Sequence, residues 1–201
     1  RGRDRDSAPA GRGRRNGRGR AQAPGGRGRG ARGVAAAARD GDIEDVGGGH
    51  DRVAHWLAAI GVDIDVLSDA TLASKTEMSC YDTIIVGIFA YKHRPGLMDC
   101  QLVLHDWIRA GGHLVTLYHR PWDNWNPVET PPARLEIGQP SLRWRVTDET
   151  AAVTHLVPDH PLLTTPNVID KADWLGWHKE RGLYFAKSWD DAYTPLLSMA
   201  D

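Results

Sequence analysis

From residue 51 onward the chain alternates short apolar runs with polar turns. Over residues 51–60, Val53, Trp56, Leu57 and Ile60 recur at i, i+3, i+4 and i+7, the spacing of one helix face, and Gly61 stops it. Residues 62–67 set apolar side chains against Asp63 and Asp65, which predicts a strand near a sheet edge. Residues 83–89 read Thr-Ile-Ile-Val-Gly-Ile-Phe, a nearly continuous apolar run that suits a strand buried on both faces of a parallel sheet. Residues 97–110 place Leu97, Leu104, Trp107 and Ile108 on one side of a helix capped by Gly111-Gly112, and residues 113–118 predict the next buried strand. Strand, helix and strand with short links form a βαβ unit, so the expected sheet is parallel with helices on both faces. The fold class is α/β: a three-layer, doubly wound, flavodoxin-like arrangement. Beyond it, residues 142–146, 153–156, 182–185 and 194–199 are short strand candidates, with Pro158, Pro161 and Pro166 breaking the chain between them.

Charge divides the chain in two. Residues 1–39 carry 12 Arg against 2 Asp, whereas the remainder carries 13 basic and 24 acidic side chains. Residues 1–33 are almost entirely Arg, Gly, Ala and Pro, too poor in apolar side chains to offset the entropy of ordering. The expected organisation is a disordered leader over 1–42 and one α/β domain over 43–201. An Arg/Gly-rich arm suggests nucleic acid, but the aromatics that stack on bases are absent before Trp56. An inert tail, or GC-rich DNA translated out of frame, accounts for the leader, and nucleic-acid binding is not expected of it. The chain opens on Arg1 rather than Met, and Asp201 closely follows an apolar run at 193–199, so a piece of a longer gene product is expected. No stretch approaches the roughly 20 apolar residues that span a bilayer, and the two cysteines, Cys80 and Cys100, suit a reducing compartment. No membrane association and a cytoplasmic location are expected.

The segment Tyr81-Asp82-Thr83-Ile84-Ile85-Val86-Gly87-Ile88, followed by Ala90-Tyr91 and Arg94-Pro95, resembles the start of the C-terminal domain of many bacterial PIG-L (LmbE-like) deacetylases. The helix ending Ala110-Gly111-Gly112, the stretch Arg145-Val146-Thr147-Asp148-Glu149 and the stretch Pro158-Asp159-His160-Pro161-Leu162-Leu163 fit the same pattern. Its most specific part is Gly176-Trp177, Glu180-Arg181-Gly182-Leu183-Tyr184-Phe185, Trp189-Asp190 and Tyr193-Thr194-Pro195-Leu196-Leu197. The resemblance covers residues 45–201 and implies a class I glutamine-amidotransferase-like domain, shared with ThuA-like proteins and truncated here at its C-terminal end. It also implies a partner, the N-terminal deacetylase domain of the same protein, in which zinc is expected.

Two features of that family are missing. The zinc-binding Ala-His-Pro-Asp-Asp-Glu segment and its later His-x-x-His pair do not occur; Asp159-His160-Pro161 is followed by Leu162-Leu163, without carboxylates. Active glutamine amidotransferases place a Cys at a tight turn after a central strand, whereas the comparable strand here ends Leu117-Tyr118-His119-Arg120. No catalytic residue, metal ligand or cofactor is therefore assigned to this chain. Nine histidines are present, but His50/His55 and His155/His160 are each five apart, a poor match to one helix or strand face. Asp190-Asp191 reads as a solvated turn, and Gly47-Gly48-Gly49 before Asp51 as a helix entrance with Asp51 as N-cap rather than a phosphate site.

The candidate ligand site is the loop after the 113–118 strand: His119, Arg120, Trp122, Asp123, Asn124 and Trp125. It follows the carboxyl end of a buried strand, where ligands bind in open α/β sheets. Aromatic faces with Asp, Asn, Arg and His beside them suit a carbohydrate; a loop packed on its own domain or on a neighbouring one accounts for the same residues. Trp174, Trp177 and Trp189 are expected in a core or a domain interface. The expected function is a non-catalytic accessory domain of a zinc-dependent N-acetyl amino-sugar deacetylase, serving packing, homo-oligomer formation or glycan placement. The alternative is a stand-alone ThuA-like sugar-binding protein or hydrolase using the 119–126 loop.

Overall fold

The computed structural model describes residues 33–37 as backbone, and 52–177 and 182–201 in full. The leader residues 1–32, the Gly47-Gly48-Gly49 entrance, His50 and the Asp51 cap lie outside the described residues. In chain order the first elements are β1 (Gly33–Ala37), α1 (Val53–Ala59), β2 (Ile64–Val66), α2 (Asp69–Ala73), α3 (Lys75–Met78), β3 (Tyr81–Val86), α4 (Ala90–His93), α5 (Pro95–Asp99), α6 (Gln101–Arg109) and β4 (His113–Thr116). The later elements are β5 (Leu135–Ile137), β6 (Thr154–His155), α7 (Pro161–Thr164), β7 (Ala186–Trp189) and β8 (Leu197–Ser198).

β1 to β4 form a four-stranded parallel sheet in the order β2-β1-β3-β4. β1 falls inside the stretch expected as leader. Its Gly-Val-Ala-Ala-Ala sequence has little strand propensity, and it is extended because β2 and β3 pair with it on either side. β3 is buried as its apolar run predicts, with Ile84, Ile85 and Val86 all in the interior. β4 is not the buried strand expected: it is an edge of the described sheet, and only Leu114 packs against the core. Along the row Val66–Ile85–Val115, set by the register through β1, Ile85 is buried while Val66 and Val115 are 51% and 44% exposed.

Ile84 and Val86 point the other way, into a core made with Leu72 of α2, Met78 of α3, Leu97 of α5 and Leu104 and Trp107 of α6. Ser68 caps α2 by accepting the Thr71 N–H, and Asp69 at its first position accepts from Arg94 Nε at 2.9 Å, tying α2 to the start of α5. The single helix expected over 97–110 is two: Pro95 starts α5 at its first turn, where its missing N–H costs nothing, and Cys100 joins α5 to α6. α6 ends as expected, with Gly111 at φ 101°, its N–H donating to Ile108 O, and Gly112 so close under Trp107 that a Cβ there would collide with the ring.

The second half is built from short antiparallel pairs, β5 with β7 and β6 with β8. Residues 142–146 and 182–185 do not form the strands expected; Ser141–Arg143 is a 3-10 turn, and the two stretches meet in a single bridge, Arg145 to Leu183. Glu136 on β5 joins its partner strand by accepting from Lys187 Nζ at 2.7 Å and Ser188 Oγ at 3.0 Å.

The two leucines of α6 at 102 and 104 test this placement. Leu104 is fully buried and Leu102 is 79% exposed. Leu104→Ala is expected to lower the unfolding free energy in urea by about 2–5 kcal/mol, and Leu102→Ala by less than about 0.5 kcal/mol. Equal losses would mean that α6 turns a different face to the core.

Candidate functional site at the carboxyl ends of β3 and β4

The β3–β4 ladder continues past both strands. Leu117 N–H donates to Val86 O at 2.9 Å and Phe89 N–H to Tyr118 O at 3.2 Å, which holds the segments after the two strands side by side. Phe89 sits in the left-handed region at φ 58°. Asn124 (φ 57°) and Tyr184 (φ 59°) are the other non-glycine residues with positive φ among the described residues. All three converge on the 119–126 loop, and for an aromatic side chain that conformation costs on the order of 1–2 kcal/mol.

Most of the polar groups expected to meet a ligand are turned inward. His119 is buried; its Nε2 accepts the Tyr91 N–H at 3.3 Å, so Nδ1 carries the proton and donates to Leu117 O at 2.8 Å. Burial pushes its pKa below the ordinary 6.5, against the opposing effect of the Leu117 carbonyl and the Asp123 carboxylate. Asp123 is fully buried and accepts from Arg120: the backbone N–H at 2.9 Å, Nη2 at 2.9 Å, and Nε at 3.0 and 3.2 Å. Asn124 Nδ2 donates to Tyr91 O at 2.8 Å and Trp125 Nε1 to Leu135 O at 2.9 Å. Trp125, Tyr91 and His119 pack as an aromatic trio beneath the loop.

The outer side of the loop is different. Arg120 lies 4.2 Å over the Phe89 ring and 5.6 Å from the Trp122 ring. Trp122 is 55% exposed and meets Tyr184 edge-on at 4.9 Å. Phe89 meets Tyr118 at 5.5 Å. Burial raises the Tyr118 pKa, the neighbouring Tyr184 phenol raises it further, and Arg120 pulls it down. Of the six candidates, Trp122 and Asn124 are exposed and Arg120 is half-buried, and the structure adds Phe89, Tyr118 and Tyr184 beside Arg120 and Trp122. None of these three carries a local sequence signal; Tyr184 in particular arrives from the far end of the chain.

A second aromatic surface lies in the other half. Trp174, Trp177, Phe185, Trp189, Tyr193 and Leu197 wall a half-open cavity of about 580 Å³. No charged side chain lines it among the described residues. Trp174 and Trp177 meet edge-on at 5.1 Å, and Trp174 Nε1 donates to His155 Nε2 at 3.0 Å. Tyr193 Oη donates to Ala133 O at 2.8 Å, pinning that wall. The lookalike Asp159-His160-Pro161 serves as a helix entrance, where His160 Nδ1 accepts the Leu162 N–H at the start of α7. Asp190 Oδ1 accepts the Ala192 N–H, the turn expected of Asp190-Asp191. Among the described residues no group of three or more His, Cys, Asp or Glu is arranged to hold a metal ion, and no helix is long and apolar enough to cross a membrane.

Two stability measurements follow. Asp123→Ala leaves Arg120 without its buried partner and is expected to cost about 3 kcal/mol; the double variant Arg120→Met/Asp123→Leu is expected to cost less, and equal losses would show that the pair contributes no more than packing. For His119, the unfolded chain takes up the proton first as pH falls, so stability is full above pH 6.5 and declines below it. Urea midpoints at about pH 7.5 and 5.5 should show a decline in the parent chain that is smaller in His119→Gln; an identical decline would mean that His119 protonates as readily folded as unfolded.

No protein-family model, curated protein or solved structure matches this chain.

Proposed function

We propose that this chain is a non-catalytic accessory domain of a zinc-dependent PIG-L family deacetylase acting on N-acetylated amino-sugar conjugates. Its fold, on this reading, is the three-layer, mostly parallel sheet of class I glutamine amidotransferases. The observation that carries the proposal is the fate of the loop after β4. At the carboxyl end of a parallel sheet, where chemistry is ordinarily placed, His119 and Asp123 are buried and their polar atoms are spent on internal bonds. A general acid or base needs reach to a substrate proton and a pKa near the working pH, and neither residue offers reach.

The cysteines support the same reading. Cys100 is buried, and burial raises its thiol pKa, opposite to what a nucleophile needs; Cys80 precedes β3 instead of following a strand at a tight turn. The residues present do not fit the family's zinc: the His-Pro dipeptide at 160–161 caps a helix and has no carboxylates after it. The metal belongs to the deacetylase domain. The uncharged aromatic cavity is the surface suited to that domain, because fully desolvated interface cores favour Trp, Tyr and Phe over charged residues.

The stand-alone, ThuA-like alternative rests on the exposure of Trp122 and takes a binding form more readily than a hydrolytic one, since the acid–base candidates are enclosed. Two measurements decide between the readings. The purified chain is expected to hold no stoichiometric zinc by elemental analysis and to release no acetate from N-acetylglucosamine conjugates; either activity overturns the non-catalytic role. The coding sequence upstream of Arg1 is expected to specify a His-Pro-Asp-Asp segment in frame; a start codon at that point instead selects the stand-alone protein.

A further inference from the structure

We infer that Trp122, Tyr184, Tyr118 and Arg120 form a recognition site for an uncharged sugar ring, seated at the carboxyl ends of β3 and β4. The inference adds a ligand to the non-catalytic reading proposed above and rests on it only in treating the sugar as held, not transformed.

Three properties of the cluster select this ligand class. The first is charge. Arg120 is the cation at the site, and the enclosed Asp123 carboxylate cancels it through bonds at 2.9 to 3.2 Å. A phosphate or carboxylate ligand therefore finds no uncompensated charge to neutralise. The second is the presence of fixed polar atoms. All the side-chain bonds to Asp123 use Nε and Nη2, so Nη1 takes no part in the ion pair. A guanidinium offers five N–H donors in a rigid plane, and this plane is set by Asp123 at its edge and Phe89 at 4.2 Å from its face. The Tyr184 ring meets Trp122 at 4.9 Å and the Tyr118 ring meets Phe89 at 5.5 Å, which brings both tyrosines to the cluster. Hydroxyl groups of a sugar both donate and accept, and a rigid guanidinium beside two phenols answers both needs. The third is an aromatic surface that stays wet. Trp122 keeps 55% of its surface exposed even though Tyr184 and Arg120 abut it. The apolar C–H surface of a pyranose covers such a ring without stripping water from a charge. A purely apolar ligand would leave the phenols and the guanidinium edge unpaired, which costs more than the contact returns.

The backbone agrees. Phe89, Asn124 and Tyr184 adopt left-handed φ values around this cluster. Strained conformations of this kind persist where the surroundings hold a site in a set geometry.

Ligand-observed NMR on the full chain tests the site, with N-acetylglucosamine and methyl glucoside as neutral probes and glucuronate and inorganic phosphate as charged ones. The neutral sugars are expected to bind in the millimolar range. Trp122→Ala is expected to weaken them at least about tenfold, and Tyr184→Phe, which removes one hydroxyl and keeps the ring, to weaken them by less. Trp56→Ala, an exposed tryptophan on α1, is expected to leave affinity unchanged. Circular dichroism checks that each variant keeps its fold, and if Trp122→Ala fails that check the Tyr184→Phe result decides. Tighter binding of glucuronate or phosphate, no binding of either neutral sugar, or unchanged affinity in both site variants overturns the inference. None of these outcomes bears on the accessory-domain assignment, which zinc content and the upstream coding sequence decide separately.

Discussion

A carboxylate withdrawn completely from water has to be met by a cation and by enough donors to fill its lone pairs. At the end of β4 that requirement falls on Asp123, and Arg120 meets it with its own backbone N–H, Nε and Nη2. Because the partner is only three residues away, the turn closes on itself and the loop acquires a fixed shape without help from a distant element. The guanidinium so anchored needs a face to lie on, and Phe89 supplies one at 4.2 Å. Phe89 reaches that position through a left-handed backbone, held by its N–H bond to Tyr118 O. One buried charge thus sets the relation between the segments that follow β3 and β4.

The same pairing decides which side chains are left for a ligand. His119 spends both ring nitrogens on Leu117 and Tyr91, and Asn124 Nδ2 donates to Tyr91 O, so that α4 and the loop are stitched together from beneath. An imidazole with both nitrogens bonded internally serves the loop's structure and presents neither nitrogen to solvent. What remains outside is aromatic and phenolic surface around a neutralised guanidinium. That composition suits holding a molecule more than transforming one.

Long, strongly patterned segments were legible in the residues. The apolar run of β3 and the Leu104–Trp107–Ile108 face of α6 are local signals, as is the Gly111-Gly112 stop, and local signals survive without tertiary context. β1 was not legible, because Gly33-Val34-Ala35-Ala36-Ala37 has neither strand propensity nor a long apolar run, and pairing on both sides is what extends it. β4 looked as buried as β3 because its apolar residues are similar; only the sheet order reveals it as an edge in the described structure. In the second half the strands are two to four residues long, too short for a period to register, and proline-bearing segments separate them. At the site, Arg120 and Trp122 announced themselves through a local cluster of polar and aromatic residues. Tyr184 could not, since nothing in its neighbourhood in the sequence points to Trp122.

The two aromatic surfaces differ in a way that bears on what each can meet. Around Trp122 the rings are interleaved with phenols and a guanidinium, so any partner that covers them must offer hydroxyl or amide groups in return or leave those atoms unpaired. Around Trp174, Trp177 and Trp189 the described lining has no charge at all, and the Tyr193 hydroxyl is already engaged with Ala133. A sugar placed there would lose hydrogen bonds to water with little to replace them, whereas an apolar protein surface would lose none. Water-exposed tryptophans are costly on a free surface and useful under a partner. The division of polar atoms between the two surfaces is what separates the two proposals made for them: a hydroxyl-bearing ligand answers the polar atoms at the strand ends, and an apolar protein surface answers the uncharged cavity.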